Sequence, residues 1–121
     1  MEFQNVSVVG LGTMGHGIAQ TLALAGANIR VFDTNHKFLE ELHHRISGNL
    51  SVMMDAGAIP QVDESEVLKR IVCCKNESEA LQGSEFVIEA IVEDLELKKA
   101  FFQRCETIVS ADTILASNTS S

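Results

Sequence analysis

Short apolar runs alternate with longer amphipathic stretches along the chain. The first run, Val6 to Val9, leads into a glycine-rich segment at 10–15 and then into an apolar, alanine-rich segment at 18–25. A second run, Ile29 to Phe32, ends on Asp33. Short runs rich in β-branched residues are typical of buried strands, and the longer segment is typical of a helix. The chain is therefore predicted to begin with a strand, a tight turn, a helix and a second strand.

Helical spacing follows the second strand. Thr34 and Asn35 can cap a helix N-terminus, and after them apolar residues recur at steps of four and three. These apolar residues are Phe38, Leu42, Ile46, Leu50 and Met53 or Met54. The polar residues expected mainly on the solvated sides are Glu40, Glu41, His43, His44 and Arg45. Gly57 and Pro60 are expected to end this long helix.

The remaining segments repeat the alternation of strand and helix. Three more strands are predicted, at Ile71–Cys74, Phe86–Ile88 and Thr113–Ala116. Helices are predicted at Glu64–Lys69 after a capping Asp63, at Ser78–Leu81 before Gly83, and from Asp94 to about Val109. The apolar face of the last helix is expected to be Leu97, Phe101, Cys105 and Ile108.

This alternation predicts an α/β fold of the doubly wound, Rossmann type. The sheet should be parallel, with right-handed crossovers, helices on both faces, strand order 3-2-1-4-5 and a helical insertion between strands 2 and 3. In such sheets ligands bind at the carboxyl ends of the strands, where the strand order reverses. Those ends are Gly10–Gly15, Asp33, Ala90 to Glu93 and Ser117–Ser121. The 121 residues are expected to form one domain, 1–121.

The glycine-rich segment has the G-x-G-x-x-G spacing of a dinucleotide-binding turn. Gly10 permits the sharp turn, Gly12 the close approach of a pyrophosphate, and Gly15 the close packing of helix on sheet. The intervening Leu11, Thr13 and Met14 belong to the same binding segment, in which free helix amides face the phosphate charge.

Asp33 lies at the end of the second strand, where a carboxylate can accept hydrogen bonds from both adenosine ribose hydroxyls and repel a 2′-phosphate. The pattern therefore favours NAD over NADP. FAD remains a competing cofactor because it uses the same glycine fingerprint. A purely structural glycine turn is a further alternative, although the strand, helix and acid together supply the context that the motif requires.

Composition restricts the possible partners. The chain is 45% hydrophobic with a formal charge of −8, and no basic stripe is present to neutralise nucleic acid phosphates. Its three cysteines, Cys73, Cys74 and Cys105, have no metal-binding spacing and are expected to be buried apolar side chains. We find no apolar run of the roughly 20 residues that a membrane helix needs, and no targeting pattern. A cytoplasmic protein without metal, nucleic acid or membrane partners is predicted.

Three blocks together resemble the NAD-binding N-terminal domain of the L-3-hydroxyacyl-CoA dehydrogenase family. Within the family, the resemblance is to the 3-hydroxybutyryl-CoA dehydrogenases. The three blocks are Gly10-Leu11-Gly12-Thr13-Met14-Gly15-His16-Gly17-Ile18-Ala19, Ile88-Glu89-Ala90-Ile91-Val92-Glu93-Asp94-Leu95-Glu96-Leu97-Lys98, and Ala116-Ser117-Asn118-Thr119-Ser120-Ser121. The blocks span nearly the whole chain in the family's order, and the second and third are more specific than the glycine motif.

The resemblance implies roles for residues outside the glycine motif. Ala90, Ile91, Glu93 and Lys98 would contact the cofactor. Ser120 matches the family's serine that touches both nicotinamide and the substrate oxygen, and would be the catalytic position; Asn118 would lie nearby and bind the cofactor.

The resemblance also implies NAD-dependent oxidation of (S)-3-hydroxyacyl-CoA to 3-oxoacyl-CoA, a reaction of fatty acid metabolism and β-oxidation. In the family a histidine general base, oriented by a glutamate, lies beyond the position where this chain ends, as does a helical domain that binds substrate and forms a homodimer. His16 follows the glycine turn, and His36, His43 and His44 are expected on the long helix away from the site. This chain alone is therefore expected to be inactive.

Two alternative functions remain open from the sequence. One is a non-catalytic NAD-binding or regulatory module, which the missing base suggests. The other is the cofactor domain of a related sugar-acid or hydroxy-acid dehydrogenase, against which Asn118 favours the acyl-CoA branch.

Overall fold

The sheet has the predicted topology. The computed structural model describes residues 4–91 and 94–117, with the exception of the Thr13 side chain. In these residues five parallel strands follow the order β3-β2-β1-β4-β5. The strands are β1 (Asn5–Val9), β2 (Asn28–Phe32), β3 (Ile71–Cys73), β4 (Phe86–Glu89) and β5 (Ile114–Ser117).

The helices connect the strands in the expected way. The described residues form α1 (Thr13–Leu24), α2 (His36–Asp55), α3 (Glu64–Lys69), α4 (Glu77–Leu81) and α5 (Leu95–Ile108). Helix α1 begins inside the glycine-rich segment, so its N-terminus lies at the carboxyl end of β1. Helices α2 and α3 form the predicted insertion between β2 and β3. No helix in the described part of the chain is both long and apolar enough to cross a membrane.

Two apolar clusters, one on each face of the sheet, make up the core. On the face covered by α1, α2 and α3, the buried side chains include Leu42, Ile46 and Leu50, which confirms the predicted apolar stripe of α2. On the face covered by α4 and α5, Phe101 and Cys105 pack with Val9, Leu81 and Val87. Burial of apolar side chains on both faces is typical of a parallel sheet that helices cover on both sides.

The predicted buried face of α5 was wrong at its first turn. Leu97 is 50% exposed, whereas its neighbour Lys98 is only 9% exposed. Lys98 reaches inward because Glu89, a fully buried acid at the end of β4, accepts hydrogen bonds from its ammonium group. The Lys98–Glu89 ion pair, and not the spacing of apolar residues, therefore determines which side chain of this helical turn is buried.

Two polar residues of α2 were also wrongly expected on a solvated side. His43 is half-buried, and its Nε2 lies 2.8 Å from the carbonyl oxygen of Ile71. Arg45 is likewise half-buried and donates to the carbonyl oxygen of Leu11 at 3.3 Å. Each side chain satisfies a backbone group of another element, which helical periodicity does not reveal.

The cysteines behave largely as expected. Cys74 and Cys105 are buried, Cys73 is half-buried, and all three are unpaired. Burial raises the pKa of Cys74 and of Cys105 to about 11, so both remain neutral thiols near pH 7.

Candidate functional site

The glycine-rich turn packs tightly against the end of β4. Gly10 has a φ of +101°, and a Cβ added to it would lie 2.5 Å from the carbonyl oxygen of Ala90. A Cβ on Gly15 would lie 1.7 Å from the carbonyl oxygen of Gly10. No larger residue fits either position without moving backbone, so these two glycines shape the turn, as their places in the motif predict.

Gly12 lies in a different environment. It is the N-cap residue of α1 and provides no side-chain hydrogen bond to the helix. A Cβ added here would meet no atom within 4 Å, so the backbone faces open space. The amides of the first helical turn, beginning at Thr13 and Met14, have no acceptor within the helix. This end of α1 therefore offers amide donors and a positive dipole end to an anion.

Asp33 is fixed beside the glycine turn. Its Oδ2 accepts a hydrogen bond from the Leu11 amide at 2.6 Å, and its Oδ1 accepts one from the Asn35 amide at 2.7 Å. An ionised carboxylate has about four lone-pair positions. The two backbone bonds thus orient Asp33 and leave it capacity to accept further hydrogen bonds from a ligand.

A cavity of about 440 Å³ lies at this edge of the sheet, and we refer to it as the carboxyl-edge cavity. The structure brings together at this cavity most of the described residues that the sequence predicts to bind the cofactor. The predicted residues that line it are Gly10, Gly12, Met14, Asp33, Ala90 and Ile91. Phe32, Phe38 and Leu97 give it apolar walls, and Glu77 and Arg104 are also at its surface. The volume and the few polar groups are typical of a small-molecule or cofactor site.

Lys98 forms a polar cluster at the same edge, where β4, β5 and α5 meet. Its Nζ donates to both carboxylate oxygens of Glu89 at 3.0 Å, and the Ser117 hydroxyl donates to Glu89 Oε1 at 2.6 Å. The Ile91 amide donates to Glu89 Oε2 at 2.5 Å. A buried carboxylate requires such partners. The predicted contact of Lys98 with the cofactor stays a prediction, but its ammonium group is held by Glu89.

Sequence reasoning missed Glu89 and Ser117 as parts of this cluster. The available signal was an acid at the last position of a buried strand, followed by a lysine in the first turn of the next helix. Such a pairing becomes plausible only when the carboxyl ends of the strands are placed side by side.

A second polar cluster connects α2 to the glycine turn through hydrogen bonds. His16 Nδ1 lies 3.1 Å from the carbonyl oxygen of Gly12 and 3.0 Å from Arg45 Nη2. Arg45 Nη1 also donates to the carbonyl oxygen of Leu11, and Asn49 donates to Gln20 at 3.0 Å. These contacts give the carbonyl oxygens of Leu11 and Gly12 side-chain partners and connect the turn to α2. Neither Arg45 nor Asn49 was singled out from the sequence.

Several predicted site residues lie outside the described residues. They are Glu93, Asn118 and Ser120, together with the side chain of Thr13. Ser117, the last described residue, belongs to the carboxyl edge of β5. Among the residues that the structure describes, no group of histidine, cysteine or acidic side chains could hold a metal ion.

Comparison with known proteins identifies the family. The profile described as 3-hydroxyacyl-CoA dehydrogenase, NAD binding domain, matches residues 5–121. The chain belongs to this family. Membership in this NAD-binding family agrees with NAD as the cofactor that the glycine motif and Asp33 predict, and the strand order agrees with the predicted fold.

Relatives from distant organisms agree with this membership. A probable 3-hydroxybutyryl-CoA dehydrogenase of Bacillus subtilis is 37% identical over 100% of this chain and 42% of its own length. The mitochondrial hydroxyacyl-coenzyme A dehydrogenase of Mus musculus is 34% identical over 98% of this chain and 39% of its own length. The chain thus spans about two fifths of these relatives.

A solved structure shows the same fold. The crystal structure of (S)-3-hydroxybutyryl-CoA dehydrogenase from Ralstonia eutropha superposes with a TM-score of 0.89 and 31% identity. The alignment covers 99% of this chain and 42% of that one.

Proposed function

We propose that this chain is the cofactor-binding part of an NAD-dependent 3-hydroxyacyl-CoA dehydrogenase. The observation that carries the proposal is the family match across 5–121, together with a cavity that joins the glycine turn, Asp33 and the end of β4. The open backbone at Gly12 fits a diphosphate, and the half-buried Asp33 carboxylate fits a ribose.

Most of the predicted cofactor residues have a proposed role in binding a particular part of the dinucleotide. Amides between Gly12 and Met14 bind the diphosphate, while Gly10 and Gly15 allow the turn to adopt its shape. Asp33 accepts hydrogen bonds from the adenosine ribose, and Ala90 and Ile91 border the cofactor across the cavity. The remaining predicted cofactor residues are Glu93, Lys98, Asn118 and Ser120, of which Ser120 is proposed to contact the nicotinamide.

The proposed substrate is an acyl-CoA with a hydroxyl group at C3. Bound NAD supplies the hydride acceptor for oxidation of that carbon. Ser120 holds the substrate oxygen near the reacting carbon, which is a positioning contribution to catalysis. The general base, its orienting acid and the surface for a homodimer are assigned to sequence outside these 121 residues.

The proposal is tested in two steps. Titration of this chain with NADH in a calorimeter should show weak but saturable binding and little turnover. A longer protein that includes the sequence following Ser121 should reduce acetoacetyl-CoA with NADH. Binding without turnover in the longer protein would remove the substrate assignment and favour a non-catalytic NAD-binding module. Appreciable dehydrogenase activity of the 121-residue chain would contradict the expectation that this chain alone is inactive.

A related sugar-acid or hydroxy-acid dehydrogenase is the second candidate. A diketoreductase described as acting on dicarbonyl compounds has 28% identity and a TM-score of 0.89 with this chain. This likeness shows that the domain also occurs with substrates that are not named as acyl-CoA esters. Comparison of L-gulonate with 3-hydroxybutyryl-CoA as substrates of the longer protein distinguishes the two candidates.

The proposal also places the protein in the cytoplasm. Its three unpaired cysteines suit a reducing compartment. Cell fractionation tests this location, and recovery of the protein only from an oxidising compartment would contradict it.

A further inference from the structure

An ion pair at the surface of the carboxyl-edge cavity has no task in the roles proposed above. Arg104 of α5 donates through Nε to Glu77 Oε1 at 2.6 Å and through Nη2 to Glu77 Oε2 at 3.0 Å. Glu77 is the first residue of α4. Both side chains line the same cavity as Asp33, Thr34 and Ile91.

The two hydrogen bonds fix the plane of the Arg104 guanidinium. A fork-to-fork contact with a carboxylate constrains a guanidinium more than a single bond does. The Cζ of Arg104 also lies 5.9 Å from the ring centroid of Phe101, which supports the group from its own helix. Hydrogen bonding of the Arg104 guanidinium to the Glu77 carboxylate is the main reason that the pKa of Arg104 is raised above its ordinary value, so the group remains a cation.

The remaining surface of this cation is accessible. The Arg104 side chain is 51% exposed, whereas that of Glu77 is only 20% exposed. The apolar residues that line the cavity include Ile91, Leu97 and Phe32. A planar cation beside apolar side chains suits a flat, uncharged aromatic ligand better than a second phosphate group.

We propose that Arg104 binds the adenine base of the dinucleotide by stacking its guanidinium on the ring, with Glu77 as the positioning residue. The inference rests on the proposed function, because Asp33 must bind the adenosine ribose for the base to occupy the same cavity. It assigns adenine recognition to a pair of side chains that lies outside the glycine motif. Ile91 and Leu97 then provide apolar contact with the edge of the base.

The test uses ADP-ribose, which contains the adenosine and the diphosphate but no nicotinamide. Arg104→Ala should weaken ADP-ribose and NADH binding by about three- to thirty-fold, the range expected for a cation–π contact. Arg104→Lys keeps the charge but loses the plane and should weaken binding nearly as much. Glu77→Gln should cause a smaller loss, because it loosens the guanidinium without removing it.

Lys99→Ala is the matched control. Lys99 is an exposed cation on the same helix, so its removal changes net charge equally without altering the cavity lining. It should leave ADP-ribose affinity unchanged. Equal losses in Lys99→Ala and Arg104→Ala, or full affinity in Arg104→Lys, would overturn stacking in favour of a general charge effect.

A direct measurement of the contact between adenine and Arg104 tests the inference without requiring that the variants fold. In the unmodified chain with ADP-ribose bound, nuclear Overhauser effects are expected between the adenine H2 or H8 protons and the Arg104 side chain. Their absence from a saturated complex would overturn the inference while leaving NAD binding intact. Failure of the unmodified chain to bind either nucleotide would instead contradict the proposed function, and the inference with it.

Discussion

The N-terminus of α1 differs from the N-termini of the other four helices that the structure describes. Helices α2 to α5 each begin after an asparagine or aspartate whose side chain accepts hydrogen bonds from amides of the first turn: Asn35, Asp63, Asn76 and Asp94. Helix α1 begins after Gly12, which has no side-chain acceptor. Four helix ends thus use polar side chains to satisfy their own amides, and one leaves them for a ligand.

Charge strengthens the contrast. The first turns of α3, α4 and α5 contain glutamates, which interact favourably with the positive end of the helix dipole. The first turns of α1 and α2 contain no acid, but that of α2 is capped by Asn35, so α1 alone among the described helices has neither a side-chain cap nor an acid there, although the chain has a net charge of −8. In an acidic protein, this uncapped end keeps a local site where a diphosphate can bind. The difference indicates that α1 gives up capping stability for anion binding.

The largest expected effect comes from converting α1 to the capped type. Gly12→Asp should fold normally, because an added Cβ meets no atom within 4 Å and the φ of −66° suits any residue. Its carboxylate would cap α1 and repel a diphosphate, so calorimetry should show NADH binding weakened by about a hundredfold or more, equivalent to about 2.8 kcal/mol. Gly12→Ala adds bulk without charge and should cause a smaller loss. Wild-type affinity in Gly12→Asp would contradict the anion site.

The next effect concerns the ribose. Asp33→Ala should weaken NADH binding by about tenfold or more, at about 1.4 kcal/mol per tenfold, because hydrogen bonds to the ribose hydroxyls are lost. Asp55→Ala removes the same charge from an exposed position at the end of α2 and serves as the control. Calorimetric affinity that is equal in the two variants would refute the role of Asp33.

Removal of a cap from one of the other helices should affect stability. Asp94 Oδ1 accepts hydrogen bonds from the amides of Glu96 at 3.0 Å and Leu97 at 3.2 Å. Asp94→Ala should lower the free energy of unfolding in urea by about 1 kcal/mol. Asp112→Ala, in an exposed turn, should change it little. Unaltered stability of Asp94→Ala would mean that the capped and uncapped helix ends differ less than the geometry suggests.

The smallest expected effect is a pH dependence at the cap of α3. A hydrogen bond from the Ser65 side chain is the main cause that lowers the pKa of Asp63 below its ordinary value of 3.8. Because the folded pKa is the lower one, this stabilisation is present above 3.8 and is lost as the pH falls through the folded pKa. Asp63→Asn keeps an acceptor that does not titrate. Thermal unfolding between about pH 5 and pH 2 should therefore show a smaller loss for Asp63→Asn than for the wild type; identical profiles would contradict the assignment.

Local patterns predicted most of the fold and the centre of the site. The strand order, the α2–α3 insertion, the glycine turn and Asp33 follow from periodicity and from spacing over fewer than about 25 residues. The clusters that the sequence did not reveal join distant positions. Lys98 turns inward because of Glu89 on another element, and Arg104 pairs with Glu77 across 27 residues. Such contacts depend on tertiary placement, which neither helical spacing nor a motif encodes.

The most direct test of the central claim is an NMR titration of the ¹⁵N-labelled chain with NADH. If the uncapped end of α1 binds the cofactor, amide resonances from Leu11 to Gly15 shift on binding and those from Glu64 to Glu66, in the capped first turn of α3, do not. Saturable binding that leaves the Leu11–Gly15 amides unshifted would contradict the claim that the uncapped end of α1 binds the cofactor.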